Sequence, residues 1–115
     1  MTGPGPKVEI IKPRMGFIYF FDVPKARFFR NNIFIIGHIT VEAKVNSTVP
    51  VKEVRFYIDG DLMNVTNHGK NGVFSWEWDE TALFYHEITV KAIDTAGRSD
   101  STTVGVTIFN FNIIP

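Results

Sequence analysis

At 115 residues, with 44% apolar and 14% aromatic side chains, the chain has material for one compact core and is too hydrophobic to remain disordered. Twelve Lys and Arg balance twelve Asp and Glu, which removes the long-range field that nucleic-acid binders and polybasic membrane segments use. The absence of cysteine excludes disulfides, thiolate catalysis and cysteine-built zinc sites, and no apolar run approaches the ~20 residues of a membrane-spanning helix.

The start, Gly3-Pro4-Gly5-Pro6, reads as a linker and has no apolar stretch of a signal peptide. The end, Ile113-Ile114-Pro115, stops on apolar residues, and of the two readings these ends leave open, a cytoplasmic chain or an excised piece of a longer protein, the excised piece is the expectation. The expected division is a linker with a short first strand over 1–12, one domain over 13–110 and a C-terminal edge over 111–115. Val8 to Ile11 forms that first strand, and Phe17 to Phe21 an aromatic one after Pro13 and Gly16. Arg27-Phe28-Phe29-Arg30 follows in a loop, its two rings and two cations forming a candidate interface that also suits packing across an open end of the domain.

From Ile33 to Val45 the odd positions are apolar, apart from Gly37, and His38, Thr40, Glu42 and Lys44 hold even ones, the period of a strand with one buried face. Val54, Phe56 and Ile58 continue inward while Glu53, Arg55 and Tyr57 face out, and Asp59-Gly60 turns the chain into a return strand through Leu62, Met63 and Val65. Asn67 to Gly72 is a loop of turn formers. Phe74, Trp76 and Trp78 share the next buried face, and Ile88, Val90 and Ala92 lead through Asp94-Thr95-Ala96-Gly97 into Val104, Val106 and Ile108. No amphipathic helix interrupts this pattern. The expected fold is all-β, an immunoglobulin-like sandwich of seven to eight strands in two antiparallel sheets.

The ordered pieces Ile36-Gly37-His38-Ile39-Thr40-Val41, Val54 to Gly60, Phe74 to Asp79 and His86 to Gly97 resemble the bacterial and archaeal immunoglobulin-like modules strung along cell-surface proteins and appended to secreted hydrolases. The resemblance runs from about Lys12 to Asn110. It implies a noncatalytic module of a cell-surface or secreted, hence extracellular, protein, acting as spacer, display or domain-docking and adhesion unit, whose partners are neighbouring domains of the same parent chain or surface proteins. Arg98 stands where many such modules have Asn, and the loop Asn46 to Pro50 replaces an acidic, Gly-containing connection, which weakens any calcium site there.

The chemistry-bearing residues give no catalytic pattern. His38, His68 and His86 are scattered, with His86 expected to cap the start of its strand and His38 to lie on a wet face. Ser75 lacks a nucleophile elbow, and Asp59, Asp61, Asp79, Glu80 and Asp94 occupy turns, the normal home of Asp. Neither an enzyme nor a cofactor is expected. Tyr57, Tyr85 and Phe84, with Phe20, Phe28 and Phe29, are candidate surface rings, Tyr57 and Tyr85 joining the candidate interface. An exposed aromatic row would favour the alternative of a carbohydrate-binding accessory module. Asn46-Ser47-Thr48 and Asn64-Val65-Thr66 are glycosylation sequons at Asn46 and Asn64.

Overall fold

A computed structural model describes residues 5–27 and 31–111. Among these, ten strands follow one another: β1 Lys7–Lys12, β2 Phe17–Phe20, β3 Val23–Arg27, β4 Phe34–Ile36, β5 Ile39–Asn46, β6 Val51–Ile58, β7 Asp61–Thr66, β8 Val73–Trp78, β9 Ala82–Asp94 and β10 Ser99–Asn110. They form a three-stranded sheet ordered β1-β5-β8 and a seven-stranded sheet ordered β3-β2-β4-β10-β9-β6-β7. The small sheet is antiparallel, whereas the large one is mixed, because β4 runs parallel to both β2 and β10.

The strand count exceeds the expected seven to eight for two physical reasons. The single strand foreseen over Ile33 to Val45 is broken at Gly37, whose φ of 87° is open to glycine and strained for other residues. There the chain leaves the large sheet (β4) and enters the small one (β5), so Ile35 and Ile39 reach the same core from opposite sides, both fully buried. The second addition, β3, is wholly exposed and carries no alternation.

Paired turns with left-handed backbone close the hairpins. Asp59-Gly60 (φ 51° and 85°) joins β6 to β7, and Asn71-Gly72 (φ 53° and 78°) lies between bridged Lys70 and Val73. Between β2 and β3 the same positions are filled by Phe21 and Asp22 (φ 46° and 75°), a conformation rarely adopted by an aromatic residue.

The core lies between the sheets. Val41 and Trp78 of the small sheet face Phe56, Ile88, Val90 and Ile108 of the large one, all at most 1% exposed. Each such side chain contributes roughly 1.5–3 kcal/mol by leaving water. Trp76 shares the face of Phe74 and Trp78 but sits at the rim, half-buried, with its ring 5.9 Å from that of Phe56. The Val8 amide donates to Asp100 Oδ2 at 3.0 Å, so β1 starts beside the first residues of β10. β10 then runs twelve residues to Asn110, which carries the chain about 35 Å at ~3.3 Å per residue. The chain therefore enters and leaves at opposite ends of the sandwich.

Candidate binding face

Three carboxylates are engaged in holding turns, Asp59 and Asp94 from among those the sequence offers to chemistry and Asp22 besides. Asp94 is fully buried at the β9–β10 turn, where Oδ1 accepts the Ala96 and Arg98 amides at 2.9 Å each and Oδ2 accepts Arg98 Nε at 3.1 Å. Asp94 itself thereby caps this turn. Asp59 accepts the Glu87 amide at 2.8 Å and lies 2.5 Å from His86 Nδ1. Asp22 accepts the Thr40 amide and hydroxyl, each at 2.7 Å, and pairs with Lys12 Nζ at 2.9 Å.

Burial raises the carboxyl pKa of Asp22 and of Asp94, but hydrogen bonds and the facing cation outweigh it and hold both below the ordinary 3.8. At Asp59 the Glu87 amide, then His86, lower it likewise. A folded-state pKa below the unfolded value gives stability that is present above the unfolded pKa and lost as pH falls through the folded one. The melting temperature is therefore expected to hold level from neutral to about pH 5 and to fall below about pH 4, less steeply in Asp94→Asn. Thermal melts by circular dichroism check this, and a level profile down to pH 2 contradicts it.

The outward face of the seven-stranded sheet is the candidate binding surface. Register places Ile18, Phe34, Thr107 and Tyr85 in one row across β2, β4, β10 and β9, and Phe20, Ile36 and Phe109 in the next. Tyr85 is 62% exposed and lies over Gly105: a Cβ there would stand 2.7 Å from the ring's Cε1 and 2.8 Å from Cζ. Its hydroxyl reaches Glu87 Oε2 at 3.3 Å, and its pKa is raised by desolvation first and by the Glu87 charge next. Phe84 has φ 72° and is 67% exposed, its ring edge-on to Phe109 with centroids 5.8 Å apart. Beyond Glu87, the Thr89 and Thr103 hydroxyls meet at 2.8 Å.

Tyr57 and Tyr85 share this outward face, Tyr57 being opposite Thr89 and thus about 13 Å along β9 from Tyr85. Arg27 is not brought to them. It pairs with Phe17 on the core side of the sheet's edge, its guanidinium 5.8 Å from that ring. Phe28, Phe29 and Arg30 lie outside the described residues. Asn46 is exposed at the end of β5, and Asn64 is half-buried opposite Phe56.

The three histidines have separate surroundings. His38 lies 3.6 Å from Glu77 and 6.3 Å, ring to ring, from Phe21. His68 is exposed, its amide bonded to Thr66 Oγ1. His86 does not cap a strand start: β9 begins at Ala82, because the pairing with β10 extends to Asn110, and the imidazole bridges Asp59 and the Leu83 carbonyl, 2.9 Å from Nε2. Gly105 and Phe109 complete the face without having stood out in the sequence. A glycine inside an alternating strand is the signal for Gly105, since it marks close approach of another group.

The profile of the bacterial Ig domain family matches residues 30–92, more than half of the chain, and the chain belongs to that family. The resemblance carried by its strand and turn pieces is thereby confirmed. Among solved structures it is similar to the fibronectin(III)-like modules of CbhA from Clostridium thermocellum, with 19% identity and a TM-score of 0.61 over 92% of this chain and 46% of that one. It is also similar to an engineered protein, with 20% identity and a TM-score of 0.57 over 90% of this chain and 20% of that one. At these identities the likeness is one of fold, and the chain spans less than half the length of either. No curated protein sequence matches it.

Proposed function

We propose that the chain is a noncatalytic module of a larger cell-surface or secreted protein, which spaces and presents neighbouring domains. The observation that carries this reading is the path of the chain, in beside Asp100 and out after Asn110, about 35 Å apart along β10. Domains attached to such a module are held apart by its length, and the packed core between the sheets resists compression of that distance. Membership of the bacterial Ig domain family supports the reading, as does likeness to one part of a structure made of several modules. The use of Asp22, Asp59 and Asp94 as turn braces agrees with a mechanical role rather than an acid-base one.

Two copies joined in tandem through their own termini test it by small-angle X-ray scattering. The maximum dimension is expected to grow by about 35 Å or more over the single chain. A tandem hardly longer than one copy contradicts the spacer role.

A further inference from the structure

We propose that the outward face around Tyr85, Phe84 and Phe109 binds a neutral polysaccharide, whose sugar rings stack on the Tyr85 platform while their hydroxyls bond to Glu87 and the adjacent threonines. This goes beyond the spacer reading and does not depend on it.

Tyr85 is built as a platform. Gly105 leaves vacant the place where a side chain would stand, and the tyrosine ring fills it, with one side against the sheet and its remaining surface, 62% of the residue, open to water. The hydroxyl is held by Glu87 at 3.3 Å, which fixes the ring's direction along the sheet. A stacking surface held in place in advance loses little freedom when a ligand settles on it.

Phe84 adds a second observation. Ala82, Ile88, Val90 and Ala92 all point into the core, and Phe84 has the same parity. A left-handed backbone, φ 72°, instead turns its ring to the outside, where it stands edge-on to Phe109. In the isolated domain this is unfavourable twice over, by backbone strain and by an aromatic ring left in water. Strain of this kind at a surface ring is accounted for when the ring serves a ligand.

Charge selects the ligand class. Glu87 and Asp59 flank the platform, and Asp59 accepts the Glu87 amide, so the site's edge is acidic. Polymers carrying phosphate, sulfate or uronate are repelled, which removes nucleic acid and anionic lipid although bases also stack on rings. A neutral sugar fits both parts: its C–H face meets the negative π-face of the ring, and its hydroxyls donate to carboxylate and accept from threonine. Thr107 stands beside Tyr85 in the same row, and the Thr89–Thr103 pair lies past Glu87.

Affinity electrophoresis of the 115-residue chain through gels containing hydroxyethylcellulose, xylan, mannan or polygalacturonate tests the proposal. At least one neutral polymer is expected to retard the chain and polygalacturonate is not. Tyr85→Ala is expected to weaken that retardation at least tenfold with an unchanged melting temperature, since the ring is exposed. Gly105→Val, which lifts the ring, should act in the same direction, and Tyr85→Phe should keep most of the binding. Free migration in all three neutral polymers, equal retardation of Tyr85→Ala, or preference for polygalacturonate each overturns the proposal, the first leaving the face to a protein neighbour. The tandem scattering experiment reads the spacer role separately, so either reading can fail alone.

Discussion

Trp78→Ala is expected to destabilise the domain by about 3–5 kcal/mol, the range for truncating a large aromatic side chain in a packed core. Trp78 is 1% exposed at the end of β8, where the small sheet faces the large one, and its ring stands edge-on to His86 at 5.8 Å. The indole Nε1 is buried without a hydrogen-bond partner among the described residues. The ring therefore stabilises through apolar contact, while its N–H costs free energy. Trp78→Phe should accordingly lose much less than Trp78→Ala. Urea denaturation of both variants checks this, and an Ala variant within about 1 kcal/mol of the parent contradicts the placement of β8.

Gly37→Ala is expected to cost about 2–3 kcal/mol, from left-handed strain and steric overlap together. At φ 87° any Cβ is strained, and one built there would stand 2.5 Å from Cδ1 and 2.7 Å from Cε1 of Phe21. The Phe21 amide also donates to the Ile36 carbonyl at 2.8 Å, so the β2–β3 turn is tied to the point where the chain changes sheets. In a Phe21→Ala background the overlap disappears, and Gly37→Ala should cost distinctly less. Equal costs in both backgrounds, read from denaturation midpoints, would show that the two residues do not meet.

Much of the sandwich was legible because burial follows parity. The odd positions from Ile33 to Val45, apart from Gly37, and Val54, Phe56 and Ile58, all point into the core as their alternation requires. The same regularity concealed the sheet change at Gly37. Residues on either side keep the same parity when they face one core from opposite sheets, so hydrophobicity alone shows no break. β3 was hidden for the opposite reason, since an edge strand exposed on both sides has no apolar period to find.

The binding face was legible in part. Tyr57, Tyr85 and Phe84 stood out as candidate surface rings, and register places the two tyrosines on one outward face. Phe84, expected as a surface ring, is 67% exposed, although it shares the parity of the core residues of β9, and the left-handed backbone angle that accompanies this exposure leaves no mark in the alternation. The role of Asp94 was visible as a turn former. Its complete burial against Arg98 depends on how the long β9–β10 hairpin closes over the other sheet, which composition does not reveal.

The most direct test of the end-to-end path is a distance measured across it. The chain has no cysteine, so Lys7→Cys and Phe111→Cys provide two unique sites for spin labels. Pulsed electron-electron resonance should give a single distance near 35–40 Å, from about 35 Å along β10 and the ~10 Å between sheets. A distance below about 20 Å would place both ends of the chain together and contradict a module that holds its neighbours apart.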